Sequence, residues 1–238
     1  LAVAGVLSAP LAAQAQTANV TLYGRVNMTV EAVQVRSQPE GVSEPWIYRV
    51  NSNSSRLGVR GTESLGGGLN AIFQIESNVS ADTGVSGGLG NRETFVGLQG
   101  GWGSVLAGRW DMPFKTATTA IDAYGDLTIG GITSGANDRG NFNVRQQNVI
   151  QYWSPNWSGF AFKLAYGANE GKTASANPEA YSASLAYSKG PLYLAYAYEQ
   201  HKDGNGGLTT VTSGYEEEGN AIVGRLQVGP IKFGGLYQ

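Results

Sequence analysis

Apolar and polar residues alternate with period two along most of this chain. Val20, Leu22, Gly24, Val26, Met28, Val30 and Ala32 fall on one face, and Thr21, Tyr23, Arg25, Asn27, Thr29 and Glu31 on the other. Successive side chains of a strand point to opposite faces, so this pattern predicts a strand with one apolar face. The pattern returns at Arg56–Glu63, with Leu57 and Val59 opposite Arg56 and Arg60, and again at Leu69–Glu76. Further strands are predicted at Glu93–Gln99, Ser104–Arg109, Val144–Trp153, Phe160–Tyr166, Tyr181–Tyr187, Leu192–Tyr198, Gly219–Val228 and Ile231–Tyr237. In Glu93–Gln99 the phase stays open, because Phe95 and Val96 are both apolar. About 11 strands result.

The connections alternate in kind. Ser64–Gly68, Gly100–Gly103, Ser154–Ser158, Lys189–Pro191 and Gly229–Pro230 are tight turns. Gln34–Ser54, Val79–Asn91, Gly167–Glu179 and His201–Glu218 are polar and long. One connection breaks the pattern. Trp110–Asn143 has no period-two alternation and no clean helical stripe, yet it holds Phe114, Ile121, Tyr124, Leu127, Ile129 and Ile132. Unstructured loops beyond about 12–15 residues are uncommon in compact domains, so an apolar one of this length is expected to fold back into the interior. Strands long enough to cross a bilayer at a tilt (about 9–11 residues), short turns on one side and long loops on the other describe an outer-membrane β-barrel. In lipid an open sheet edge has no water to pair with, so such a sheet closes.

Composition supports an all-β, membrane-embedded reading. Charged residues are 14% of the chain, against about 25% in soluble domains. There are 35 Gly and 12 Tyr among 238 residues, and the Tyr gather at strand ends, where membrane interfaces lie. The formal charge of −2 lacks the clustered basic excess of a nucleic-acid binder. No cysteine and one histidine exclude disulfides and Cys- or His-rich metal sites. Neither a catalytic constellation nor a cofactor motif is present. Gly167–Thr173 is one residue short of a phosphate-binding loop and lacks a βαβ context. Residues 1–15 end in Ala13-Gln14-Ala15 after an apolar run, the form of a signal-peptide remnant. Residues 16–238 are then one barrel domain. Bacterial barrels have even strand counts, and the last segment stops at Gln238, so a C-terminal truncation is expected.

Several segments in order resemble the general diffusion porins of Gram-negative outer membranes, in particular their β-proteobacterial branch. They are Val20-Thr21-Leu22-Tyr23-Gly24, Ser55–Glu63 with Leu65–Leu69, Phe95-Val96-Gly97-Leu98, Gly108-Arg109 and Gln151–Asn156. The resemblance implies a transmembrane antiparallel β-barrel of about 16 strands, with the third long loop folded into the lumen. It implies a homotrimer among outer-membrane lipid and lipopolysaccharide that passes small hydrophilic solutes and ions without a cofactor. Trp110–Asn143 lies between the fifth and sixth strands, the place of that loop. Wall arginines facing acids on the loop would form the constriction. By motif these are Arg56, Arg109 and Arg145, with Arg25 and Arg60 beside them, against Asp122 and Asp126. Asp111 and Asp138 read as loop-anchoring or exposed. His201 and Glu216–Glu218 read as a solvated loop. Arginines outnumber the acids that can be placed in the lumen, so weak anion preference is expected. The alternatives are an outer-membrane barrel enzyme and a secreted β-rich binding module.

A barrel and a soluble module part on a simple observation. The protein is expected in the outer-membrane fraction, with faster migration in unheated than in heated detergent gels. Recovery in the soluble fraction with no heat-dependent shift would reject the barrel.

Overall fold

The computed structural model describes residues 19–34, 45–84, 87–122, 142–168, 170–205 and 210–238. The signal-peptide reading of residues 1–15 and the assignment of Asp126 lie outside them.

Thirteen strand segments are described: β1 Asn19–Arg25, β2 Met28–Val33, β3 Ile47–Ser52, β4 Arg56–Gly66, β5 Leu69–Asn78, β6 Thr94–Gly100, β7 Gly103–Asp111, β8 Arg145–Trp153, β9 Phe160–Gly167, β10 Glu179–Lys189, β11 Leu192–Asn205, β12 Thr210–Val228 and β13 Ile231–Tyr237. They form an eleven-stranded antiparallel sheet in the order β1-β4-β5-β6-β7-β8-β9-β10-β11-β12-β13, with β2 and β3 paired beyond its end. β1 runs on into β2, and β3 into β4. At the break the Asn53 amide donates to the Asn27 carbonyl (2.9 Å), and the Asn27 amide donates to Ser55 Oγ (2.9 Å). From β4 onward each strand pairs with its sequence neighbour, and β1 pairs with β4 around the β2–β3 hairpin, so short turns and long loops fall at opposite ends, as the sequence predicts.

Outward positions are apolar. Leu22, Leu57, Ile75, Val105, Ile150, Leu164, Leu185, Leu194 and Ile222 are exposed large apolar residues at alternate positions. The open phase of β6 is settled: Val96 is 64% exposed, while the Phe95 ring lies 5.0 Å from Trp110. Aromatic pairs mark both rims, Trp102–Tyr152 and Phe160–Tyr187 toward the short turns and Tyr166–Tyr181 toward the long loops. These are the belts of a bilayer-spanning barrel.

Two parts differ from the sequence reading. Ile47–Ser52 was expected in a loop and is strand β3. Likewise β11 and β12 extend through most of the expected 201–218 loop. Neither segment keeps a clean apolar face: β3 mixes Ile47, Tyr48 and Val50 with Arg49, Asn51 and Ser52, and the outer halves of β11 and β12 are mostly polar. Beyond a bilayer a strand needs only its ladder of backbone hydrogen bonds, so apolar alternation stops marking it. As a result His201 is not solvated but fully buried, and Glu217 reaches it from β12.

The interrupting stretch opens with helix α1, Pro113–Thr118, and one 3-10 turn, Thr119–Ile121. No helix was expected there. Pro113 takes the first helical position, where its missing N–H costs nothing. Phe114, Ala117, Thr118 and Ile121 then have the spacing i, i+3, i+4, i+7, a stripe too short to stand out in sequence. The stripe packs on the inner face of the sheet against Ala195, Ala197, Ala221 and Val223. Small residues on β11 and β12 make room for it. Burying the Phe114 and Met112 side chains completely contributes about 1.5–3 kcal/mol each.

The outward-facing assignment of β10 is checked at Leu185, which is 52% exposed in mid-strand. Leu185→Arg is expected to lower unfolding stability in bilayers by about 2–4 kcal/mol. A loss below the level of a soluble-surface substitution would show that this face does not meet lipid.

Candidate functional site

The entry to the inner loop is organised by seven charged side chains of alternating sign. Arg56 on β4 faces Glu76 on β5 at 3.8 Å. Arg92, just before β6, donates to Glu76 at 2.6 Å and lies 3.6 Å from Glu93. Arg145 on β8 donates to Glu93 at 2.7 Å and lies 3.2 Å from Asp111 on β7. Lys115 on α1 closes the series 3.2 Å from Asp111. The series therefore runs from the wall at β4 to the loop at α1. Its local cause is a shift in pairing. β7 and β8 change register between Gly108 and Trp110, which brings Asp111 opposite Arg145. Gly108 has φ +152° and abuts the Thr94 carbonyl, so only glycine fits there.

Beside the series is a recess of about 450 Å³ lined by Arg25, Arg56, Arg60, Glu76, Glu93 and Asp111, with Tyr23, Gln74, Trp110 and Thr116. Tyr23 donates to Glu76 (3.0 Å), and Arg60 stands over the Tyr23 ring at 5.2 Å. Arg25 donates to the Ser54 carbonyl at 3.2 Å.

α1 crosses to the far wall. The Phe114 amide donates to Ser182 Oγ (3.0 Å), Tyr193 donates to the Ala117 carbonyl (3.2 Å) and Arg225 to the Ala120 carbonyl (2.7 Å). Phe142, on the return limb, packs on Phe114 and on His201. Each His201 ring nitrogen is 2.8 Å from a carboxylate oxygen, Glu199 on one side and Glu217 on the other. The only histidine thus fixes the wall beneath Phe142 on the return limb of the loop.

Three of the sequence candidates, Arg25, Arg56 and Arg60, meet in the recess. Arg145 joins them only through Glu93 and does not line it. Arg109 pairs across from Thr94 and does not line it either. Asp122 caps the 3-10 turn, its amide donating to the Thr119 carbonyl (3.0 Å). Glu76, Glu93 and Arg92 are not among the sequence's site candidates, although Glu76 falls on the polar face of one predicted strand and Glu93 opens another. The available signal was an inward-phase acid at Glu76 between Ile75 and Ser77. Glu93 and Arg92 stand at a loop end and carried none.

Over residues 1–238 the chain matches the family model described as Gram-negative porin. The chain belongs to that family. This porin is 35% identical over 217 residues to outer membrane porin protein 32 of Delftia acidovorans, covering 86% of this chain and 60% of that protein. It is 33% identical over 215 residues to an outer membrane porin protein of Bordetella pertussis, covering 79% and 55%. Among solved structures it resembles an anion-selective porin from Comamonas acidovorans, with a TM-score of 0.74 and 29% identity over 92% of this chain and 67% of that one. The chain spans roughly half to three fifths of the length of the curated relatives it matches. It is a protein of the outer membrane, and the described start of its long inner segment, Pro113–Ile121, packs on the inner face of the sheet.

Arg145 holds Glu93 and Asp111 together in a setting where its own side chain is 14% exposed. Removing one partner of a buried pair leaves the other charge desolvated and alone. Arg145→Ala is expected to destabilise the folded protein by about 3–5 kcal/mol in urea unfolding. A loss under about 1 kcal/mol, the scale of an exposed pair, would show that the series does not hold the loop root.

Proposed function

We propose that this protein is a passive diffusion channel for small hydrophilic solutes and ions, weakly anion-selective, and not an enzyme. The observation that carries the reading is the arginine-lined recess beside the root of the inner loop. A loop laid across the lumen narrows the path, and the charges along a narrow path set which ions enter. Arg25, Arg56 and Arg60 present three cations there. The carboxylates beside them are held in ion pairs with Arg92, Arg145 and Lys115. Field lines in a low-dielectric channel are focused, so even a small excess of fixed positive charge favours anions. The name of the Comamonas relative, an anion-selective porin, agrees with this sign. The pore constriction is proposed to include Arg25, Arg56 and Arg60 at its wall, with Arg109 and Arg145 contributing to the field and Asp122 and Asp126 on the loop.

The assembly is proposed to be a homotrimer in outer-membrane lipid and lipopolysaccharide. The apolar outer face of the sheet supports the lipid contact, and the family resemblance supports the trimer.

In planar bilayers under a salt gradient the reversal potential is expected to report anion preference. Arg56→Gln with Arg60→Gln is expected to reduce the anion-to-cation permeability ratio by several-fold, roughly the effect of removing two unit charges within a few ångströms of the path. Cation preference in the unaltered protein would overturn the sign, and an unchanged ratio in the variant would remove these two residues from the constriction.

A further inference from the structure

We propose that the inner wall carries a subsite for small aromatic carboxylates, in which the Lys163 ammonium takes the carboxylate and the Trp153 and Trp110 rings take the aromatic body. The inference rests on the channel reading above and names a solute class and residues that reading does not use.

Lys163 is on the inward phase of β9. It pairs across from Trp153 on β8 and from Ser184 on β10, while its neighbour Leu164 is exposed on the lipid side. The cations at the loop root are committed, since Arg92, Arg145 and Lys115 each hold a carboxylate. Lys163 is different. Among the described residues its ammonium makes no ion pair and no hydrogen bond, and its partner is the Trp153 ring, with Nζ 5.0 Å from the centroid. The side chain is half-buried. Partial burial of a cation without an anion is costly. An anionic solute arriving through the lumen offsets that cost.

Trp153 is held in place before any solute arrives. Its indole Nε1 donates to Gln151 Oε1 at 2.9 Å, and Gln151 Nε2 donates to the Asp111 carbonyl at 3.0 Å. The Trp153 ring lies 5.3 Å from Trp110 and 6.4 Å from Phe95, and those two rings are 5.0 Å apart. The interplanar angles are 57°, 63° and 80°, so the cluster presents edges as well as faces. A further aromatic ring is complementary to such a surface, by offset stacking or edge-to-face contact. A fixed platform also loses little freedom on binding. Trp110 lines the recess at the loop root, so the rings lead from that recess to Lys163.

The two parts together choose the ligand. An ammonium alone attracts any anion, and acetate or inorganic phosphate would use nothing else here. Rings alone attract any flat apolar body. A cation set over one of three clustered rings favours a molecule that carries both, a one-ring carboxylate such as benzoate. The competing account makes the Lys163–Trp153 contact a packing device that steadies β8 against β9. It predicts no saturable, ring-dependent effect on the current.

The test measures block of chloride current through pores of the full-length protein in planar bilayers at neutral pH. The probes are benzoate and cyclohexanecarboxylate, which has the same charge and a similar size but no π-face. Benzoate is expected to block saturably, at a concentration about tenfold below that of cyclohexanecarboxylate. Lys163→Gln strands no carboxylate, so the variant is expected to insert, and to raise the half-blocking concentration of benzoate about tenfold. Lys163→Arg keeps the charge and is expected to keep the block. Trp153→Leu is expected to erase the difference between the two probes. Equal half-blocking concentrations in the unaltered protein overturn the proposal. So does an unchanged benzoate block in Lys163→Gln pores, or a probe difference that survives Trp153→Leu. Pores that conduct but never respond to benzoate sink the subsite alone, whereas an unaltered protein that opens no pores sinks the channel reading and the inference with it.

Discussion

A carboxylate inside a barrel wall must find a cation, and the rest of this structure follows from how that demand is met. Glu76, Glu93 and Asp111 are close together and poorly solvated. Three like charges so placed repel strongly at low dielectric. Interleaving them with Arg56, Arg92, Arg145 and Lys115 turns the repulsion into a series of attractions. The series ends on α1, so the electrostatics of the wall also fixes where the inner loop begins. Buried pairs gain little net stability over well-packed apolar groups. Their worth here is in position: an apolar patch would accept α1 in several registers, whereas a charge series accepts one.

The far end of the loop is held by different means. There the wall supplies alanines at 195, 197 and 221, and α1 supplies Phe114 and Ala117. Hydrogen bonds from Tyr193 and Arg225 to loop carbonyls fix the crossing angle. The two ends divide the labour. Charge fixes the root, and apolar packing with the buried His201–Glu199–Glu217 group fixes the crossing. Both devices sit on the inward phase of the strands, while the outward phase is kept apolar for lipid. One alternation therefore serves two solvents.

The wall was legible because period two is imposed by lipid itself: an outward Leu57 and an inward Arg56 leave no other phase for β4. The same rule explains what was missed. Past the bilayer both faces meet water or protein, so β3 and the outer halves of β11 and β12 read as polar loops. Helix α1 was hidden by its length, since six residues offer less than two turns of stripe. Among the site residues, Arg25, Arg56 and Arg60 were legible because they share the inward phase of paired strands. Arg145 is a candidate by sequence, but its pairing with Glu93 and Asp111 is not legible there. That pairing depends on the register shift after Gly108, a feature with no signature in residue type. Arg92 and Glu93 lie where alternation has lapsed, and only the fold brings them to Glu76 and Arg145.

The lining of a pore is thus an incomplete account of its charge. A side chain acts on a passing ion through its field, and the field does not stop at the surface that side chain presents. In water a hidden counter-charge a few ångströms back would be screened. In a wall faced on one side by lipid it is not, and the Debye length of about 8 Å at physiological salt exceeds the spacing within the series. The carboxylates of the recess must then be counted together with the cations behind them. Counted so, Glu76, Glu93 and Asp111 are offset by Arg92, Arg145 and Lys115, and Arg56, beside Glu76, adds one positive charge to the series. The charges that hold the loop root in place also shape the local field there, so a substitution along the series acts on both.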